Sequence, residues 1–168
     1  MEKLKAENRS LKTTIDRLEF QAIRDDLIFD GLPEKEEDVE KTVRDFLAEK
    51  VRLSNEELKR ISLSRVQRMG RKVMGNNRPR PILVTFGSMH DKETVKKKKK
   101  NLAGTTFGVN DHFTQTVMER RKILIPVMKK ARIEKKKAIL VGDKLFVNDT
   151  LYTDKSCPWV TAGANVRP

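Results

Sequence analysis

The sequence predicts an α+β protein in three parts: an N-terminal coiled-coil helix, a βαββαβ domain, and a small C-terminal domain of one helix and a β-hairpin. Three observations support this class. A seven-residue apolar repeat opens the chain, segments with periods of 2 and 3.6 alternate after it, and a long helical repeat precedes two short strands. We expect domains at 1–23, 24–111 and 112–153, followed by a flexible tail at 154–168.

Residues 1–22 carry the seven-residue repeat that is typical of a coiled coil. Most of the other positions are polar, and no Gly or Pro interrupts them. We therefore expect the helix to associate with copies of itself rather than to pack on its own domain. The seam that we expect to drive this oligomerisation consists of Leu4, Asn8, Leu11, Ile15 and Leu18. An Asn at an a position with Leu at d suits a dimer, so the pattern leaves the oligomer size open.

The next part of the chain alternates between strand and helix patterns. The apolar run at 27–29 ends at a Gly and a Pro, which is typical of a strand. In order, we expect a strand at 27–29, a helix at 39–51, strands at 60–69 and 81–86, a helix at 89–102 and a strand at 105–109. This is the split βαβ, ferredoxin-like order that RNA-recognition motifs use.

The C-terminal part begins with a helical pattern at 114–135. Pro126 lies inside it, and we expect this proline to bend or split the helix. Residues 138–152 predict two short strands around a tight turn at Gly142 and Asp143. The residues after 153 have no periodicity, and the pattern assigns no function to Trp159.

The positive charge is concentrated after residue 60. Residues 1–60 hold 13 basic and 16 acidic residues, a net −3, whereas 61–168 hold 24 and 8, a net +16. Such a density of like charge favours an anionic partner, most often nucleic acid, with an anionic membrane surface second and a hydrated basic face as the plain alternative. We expect the lysine run at 96–100 to be solvated, since it points in all directions around a helix.

The sequence contains no pattern that is typical of a catalytic or metal site. His90 and His112 lie in different elements without Cys partners at ligand spacing, and no phosphate-binding glycine loop occurs. Cys157 is the single cysteine, so an intramolecular disulfide is excluded. No apolar run approaches the length of a membrane span. We therefore expect a non-enzyme without cofactor, metal or membrane association.

A standard RNA-recognition motif stacks bases on aromatic side chains in its two central strands. Here the corresponding positions hold Ile28, Pro81 and Leu83, and we expect Phe29 and Phe86 to belong to the core. Affinity for nucleic acid would then come mainly from Arg and Lys contacts to phosphate, with weak sequence preference and a steep salt dependence.

Five segments in colinear order resemble the RNA-binding first-open-reading-frame protein of LINE-type, non-LTR retrotransposons. They are RLEFQAIRDDLIFDGLPE, RVQRMGRK, RPRPILVTF, LAGTTFGVNDHFTQTVMERRKILIPVMKKAR and KKKAILVGDKLFVNDTLY. The resemblance covers residues 1 to about 152. It implies a trimeric coiled coil, an RNA-recognition-motif-like domain and a C-terminal domain that together bind single-stranded RNA and DNA. It also implies nucleic-acid chaperone activity and packaging of the element's RNA into a ribonucleoprotein particle, cytoplasmic or also nuclear.

The resemblance and the charge pattern together nominate a binding surface that we expect to line a cleft between the two globular parts. The resemblance points to the arginines of the second-to-third strand hairpin and to the paired arginines of the C-terminal helix. Thr14 departs from the family, since some of its coiled coils place an Arg there for trimerisation. The full set is Arg65, Arg68, Arg71, Lys72, Arg78, Arg80, Arg120, Arg121, Lys122, Lys129, Lys130 and Arg132.

Two other functions remain open on the sequence. One is an oligomeric protein-interaction scaffold, a domesticated retrotransposon-derived domain that binds an acidic protein partner, which the missing aromatic platform favours. The weaker one is a membrane-surface binder that uses the lysine run at 96–100. Base preference and the choice between dimer and trimer are not fixed by the sequence.

Overall fold

The computed structural model describes residues 1–35, 38–75 and 77–155. The chain divides into two compact units, Leu18–His112 on the one hand and Met1–Arg17 with the chain from Phe113 onward on the other. The α+β class is confirmed: a long N-terminal helix, an antiparallel sheet with helices and then a small β-sheet. The expected tail from residue 156 onward, with Cys157 and Trp159, lies outside the described residues.

Helix α1 covers Glu2–Ile23 and has no buried residue. The side chains of its apolar seam are 53–60% exposed at Leu4, Leu11, Ile15 and Leu18. Asn8 bonds back to the carbonyl of Leu4 at 3.1 Å. The seam is therefore an apolar stripe that the single chain leaves open to solvent.

The larger sheet is fully antiparallel, with the strand order β2-β3-β1-β4. Its strands are β1 Asp26–Asp30, β2 Leu63–Arg68, β3 Ile82–Phe86 and β4 Gly108–Asp111. The helices of this unit are α2 Val39–Glu49, α3 Asn55–Arg60 and α4 Met89–Lys98, and a 3₁₀ turn at Lys99–Leu102 follows α4.

One face of this sheet forms the core of its unit. Phe29 is fully buried and meets the ring of Phe46 from α2 edge-on, with the ring centroids 5.8 Å apart. Val84, Phe86 and Val95 belong to the same buried cluster. The expectation that Phe29 and Phe86 lie in the core is confirmed. Because side chains alternate along a strand, the intervening residues lie on the opposite face.

Two boundaries differ from the sequence-based expectation. Strand β2 starts at Leu63 rather than at 60, because a capping box between Ser54 and Glu57 supports α3 up to Arg60. Strand β4 starts at Gly108 rather than at 105, because Thr105 folds back on the carbonyl of Leu102 through its amide and its hydroxyl. A side chain that bonds to nearby backbone competes in this way with strand pairing.

The C-terminal elements are helix α5 and a three-stranded antiparallel meander. Helix α5 spans Gln115–Ile133 without a break at Pro126, so the expected split is wrong. The strands are β5 Ala138–Val141, β6 Lys144–Val147 and β7 Thr150–Leu151, with the tight turn at residues 142 and 143 as expected. The expected hairpin of two strands is incomplete, because Asn148 and Asp149, both with a positive φ, form a second turn and β7 pairs with β6. The buried cluster between helix and strands consists of Leu124, Ala131, Ala138 and Leu145.

Two lysines of the run at 96–100 form ion pairs within the fold. Lys96 pairs with Asp111 at 3.1 Å, and Lys98 pairs with Glu57 at 2.5 Å, so the expectation of a wholly solvated run is wrong for these two. The buried Lys92 also pairs with Asp111, at 3.2 Å, and donates to the carbonyl of Arg24 at 2.5 Å. Burial favours a higher pKa for Asp111, but the two ammonium groups outweigh it and hold its pKa below the ordinary value.

Candidate nucleic-acid interface

The β2–β3 hairpin carries the first group of candidate residues. The register pairs Arg65 with Thr85 and Arg68 with Ile82. Ile82 points into the core, so Arg68 lies on the helix-covered side of the sheet, whereas Arg65 lies on the opposite face. The two arginines, which sequence analysis grouped together, therefore occupy different environments.

Arg68 closes the base of the hairpin through backbone carbonyls. Its guanidinium donates to the carbonyl oxygens of Leu32 at 3.0 Å, Pro33 at 2.7 Å and Arg80 at 2.7 Å. These bonds join the hairpin to the segment between β1 and α2. Arg68 thus has a structural task in addition to the binding role expected of it.

Arg80 lies beside it and meets an acid. Its Nε donates to Oε1 of Glu34 at 2.9 Å, its Nη2 bonds to the same oxygen, and its Nη1 donates to the carbonyl of Gly70 at 3.0 Å. The hydrogen bonds from Arg80 hold the pKa of Glu34 below its ordinary value, with a smaller contribution from the charge of Lys72. The same carboxylate raises the pKa of Arg80. The sequence pattern gives no indication of this contact, because Glu34 and Arg80 lie 46 residues apart in the chain.

A groove of about 430 Å³ opens at this ion pair. Its lining is strongly basic and consists of Gly31, Pro33, Glu34, Arg71, Lys72, Val73, Asn77, Arg78, Pro79 and Arg80. Gly31 has a φ of +87°, and a Cβ added there would lie 2.7 Å from the carbonyl oxygen of Thr106. Only glycine fits that close approach.

Three hairpin cations project into solvent. Arg65, Arg71 and Lys72 are exposed, and none has a hydrogen-bond or ion-pair partner among residues 1–35, 38–75 and 77–155. Arg78 is also exposed and lines the groove. The hairpin therefore divides its cations between anchoring contacts at its base and solvent-facing positions.

The sheet face opposite the core has no aromatic side chain at the paired positions described. Ile28 pairs with Leu83 on one side and Asn110 on the other, and Gln67 pairs with Leu83. At one end of this face, buried Asp26 accepts from Thr85 at 2.6 Å and contacts Nδ1 of His112 at 2.9 Å. Sequence analysis missed that polar cluster, since its members lie far apart in the chain. At its paired positions the face offers hydrogen-bonding groups but no aromatic ring, and the imidazole of His112 lies at its end, in contact with Asp26.

The arginines of α5 bond to the β5–β6 turn and strand. Arg120 pairs with Asp143 at 2.7 Å, and Arg121 donates to the carbonyl of Gly142 at 2.6 Å. Arg121 also lies over the ring of Phe113, 4.3 Å from its centroid. Arg132 donates to the carbonyl of Ala138 from two nitrogens, at 3.1 and 3.0 Å. These three guanidinium groups fasten the helix to the meander.

Lys122, Lys129 and Lys130 differ from those arginines. All three are exposed, and none forms a side-chain hydrogen bond or close ion pair in the described part of the chain, although the charge of Lys130 helps to lower the pKa of Glu134. Lys122 and Lys129 lie seven residues apart, two helical turns, and so project from the same side of α5. The C-terminal candidates therefore also divide into anchoring arginines and solvent-facing lysines.

Comparison with known proteins found no match, so the candidate site is assigned from its residues alone. No protein-family model matches the chain, and no curated protein matches it significantly. Within the described ranges, no three His, Cys, Asp or Glu side chains come together as a metal site. No helix of that part is long and apolar enough to cross a membrane.

Proposed function

We propose that the chain is a non-catalytic binder of single-stranded RNA and DNA with chaperone activity, which packages the RNA of a LINE-type retrotransposon. The observation that carries the proposal is the set of exposed cations that form no hydrogen bond or close ion pair with an acid in the described chain. They are Arg65, Arg71 and Lys72 on the hairpin and Lys122, Lys129 and Lys130 on α5. A polyanion would relieve their mutual repulsion and release its own counterions.

The antiparallel strand order β2-β3-β1-β4 supports a ferredoxin-like, RNA-recognition-motif-like assignment for the unit Leu18–His112. The face opposite the core carries Ile28 and Leu83 where such motifs carry stacking aromatics. Binding would therefore weigh phosphate more than base, which gives low sequence specificity and permits the strand exchange that a chaperone requires.

The open seam of α1 supports homo-oligomerisation. Four aliphatic side chains at heptad positions stay more than half exposed in the single chain. Association of these helices, as a trimer by the resemblance or as a dimer by Asn8, would cover them. Linked copies would also bind one strand at several points, which turns weak contacts into tight binding. The resulting particle would be a ribonucleoprotein in the cytoplasm or the nucleus.

A salt titration tests the proposal. If each chain neutralises six to eight phosphates, the logarithm of the association constant should fall with the logarithm of salt concentration with a slope of about −4 to −6. Fluorescence anisotropy with a labelled, mixed-sequence single-stranded oligonucleotide measures it. A triple variant, Arg65→Ala, Arg71→Ala and Lys72→Ala, should make the slope less negative by about 2.

The matched control removes three exposed cations of the same unit that lie outside the hairpin: Lys41→Ala, Lys50→Ala and Lys59→Ala. It changes the net charge equally, so a local surface predicts a much smaller loss of affinity. A wild-type slope near zero would contradict the proposal, and equal losses in both triple variants would remove the hairpin from the surface.

A second candidate is the oligomeric scaffold for an acidic protein partner. The internal hydrogen bonds of Arg68, Arg80 and Arg132 favour it, because these cations are used within the fold. Filter binding separates the two functions. A scaffold would leave the mixed oligonucleotide unretained at low salt, whereas the proposed nucleic-acid binder would retain it.

A further inference from the structure

We propose that the carboxylate of Glu34 is a built-in competitor of nucleic-acid phosphate for Arg80, occupying the phosphate position in the free protein and leaving it when a strand binds. The inference rests on the proposed function and concerns the regulation of the same surface. It assigns a role to a residue that the cationic pattern alone does not indicate.

The contact has the form of a bound anion. Arg80 directs Nε and Nη2 at one carboxylate oxygen of Glu34, which is the edge of the guanidinium that also binds phosphate. Carboxylate and phosphate oxygens use the same donors, so they cannot both occupy this edge. A phosphate that binds this edge of Arg80 must therefore displace Glu34.

The surroundings favour the exchange. Glu34 and Arg80 line the groove of about 430 Å³ that also exposes Arg71, Lys72 and Arg78. A phosphate placed there would meet several cations, whereas Glu34 brings a single charge on a tethered side chain. Lys72 already acts on Glu34, since its charge contributes to the lowered pKa of that carboxyl group.

The hairpin does not depend on Glu34 to stay in place. Arg80 keeps a separate bond from Nη1 to the carbonyl of Gly70. Arg68 independently ties the carbonyl of Arg80 to those of Leu32 and Pro33. Displacement of Glu34 thus removes one ion pair and leaves four hydrogen bonds that fix the base of the hairpin.

Competition of this kind lowers the affinity of each head and accelerates release. Each binding step must break the ion pair, and each dissociating phosphate is replaced by a carboxylate that is already attached. Fast local exchange within a multivalent assembly lets strands rearrange without leaving the particle. Glu34 would therefore set how readily strands exchange.

The variant Glu34→Gln tests the inference. The amide still accepts one hydrogen bond from Arg80 but no longer competes as an anion. In the full chain we expect about three- to tenfold tighter binding of the labelled, mixed-sequence oligonucleotide at low salt. The salt slope should stay close to that of wild type, because Arg80 contacts phosphate in both complexes.

Glu40→Gln is the matched control. Glu40 is an exposed acid that pairs with Arg44 on α2 at 3.0 Å, and its loss changes the net charge by the same amount. Tighter binding confined to Glu34→Gln supports displacement. Equal gains in both variants, or no gain in either, overturn it, because the first result reflects net charge alone and the second leaves the ion pair purely structural.

A second measurement follows the carboxyl group itself. Carbon-detected NMR titration of Glu34 in wild type should show a lowered pKa in the free protein and a higher one in the oligonucleotide-saturated complex. An unchanged pKa at saturation overturns the inference even if the proposed function holds. Failure of wild type to bind the oligonucleotide at low salt overturns the proposed function, and the inference with it.

Discussion

The two compact units maintain their folds by different means. Among the described residues, the main core cluster of the unit Leu18–His112 has fifteen buried hydrophobic side chains, whereas the cluster beneath α5 has four. The smaller cluster is supplemented by arginine side chains that bond α5 to the meander at Asp143, Gly142 and Ala138. Where little apolar area is buried, hydrogen bonds from charged groups carry a larger share of the stability.

This difference shows that a count of cations overestimates a binding surface. On α5 the arginine side chains bond to the meander, and the side chains of Lys122, Lys129 and Lys130 extend into solvent. On the hairpin, Arg68 and Arg80 bond to backbone carbonyls, whereas the side chains of Arg65, Arg71 and Lys72 extend into solvent. A long guanidinium with five donors suits backbone carbonyls, whereas an ammonium group is more strongly hydrated and remains in solvent.

The largest expected effect concerns the smaller core. Leu124→Ala should cost about 2 to 5 kcal/mol, the usual range for a buried leucine, and should unfold the α5 region because few other buried residues support it. Leu47→Ala, an equally buried leucine in the larger core, should leave its unit folded. Urea unfolding followed by amide NMR measures both, and a folded α5 region in Leu124→Ala would contradict this comparison.

An intermediate effect on stability is expected from the arginines that bond α5 to the meander. The double variant Arg120→Ala and Arg121→Ala should lower the free energy of unfolding by about 1 to 3 kcal/mol, because it removes charged hydrogen bonds to Asp143 and Gly142. The control Lys122→Ala with Lys129→Ala should stay within about 0.5 kcal/mol of wild type. Thermal unfolding distinguishes them. Equal melting temperatures would contradict a stabilising role for the two arginines.

The smallest effect is a pH dependence of the larger unit. The hydrogen bond from Lys98, helped by the backbone of Ser54, lowers the pKa of Glu57 to about 2. A depressed carboxyl pKa adds stability that is fully present above the ordinary value of 4.5 and is lost as the pH falls toward 2. In Lys98→Met, the urea midpoint should therefore decline less between those pH values than in wild type. Lys97→Met, an exposed neighbour, should behave like wild type.

Apolar periodicity was sufficient to predict most elements of the fold. The runs around Leu27 and Leu83 predicted β1 and β3, because a buried strand needs consecutive or alternating apolar residues whatever its partners. The turn at residues 142 and 143 followed from the residue types that tight turns require. Helix α5 continues through Pro126, which is exposed, although the proline nitrogen cannot donate a hydrogen bond to the carbonyl of Lys122.

The division of the candidate cations could not be predicted in this way. Whether an arginine side chain bonds within the fold or extends into solvent depends on which carbonyl or acid the folded chain places beside it. Arg68 bonds to residues 35 and 36 positions away, and Arg80 meets Glu34 across 46. Partners so distant in the chain cannot be identified from a local sequence pattern. The internally bonded and the solvent-exposed cations were therefore predicted as one surface.

Gly31, which lines the hairpin groove, restricts the coding changes that the protein can tolerate. Every single-nucleotide missense change in a glycine codon yields a residue with a Cβ atom. At Gly31 that atom would lie 2.7 Å from the Thr106 carbonyl oxygen, on a backbone with a φ of +87°. In a library of codon variants selected for oligonucleotide binding, substitutions at Gly31 should therefore be depleted, whereas the exposed control positions Lys41, Lys50 and Lys59 should continue to vary.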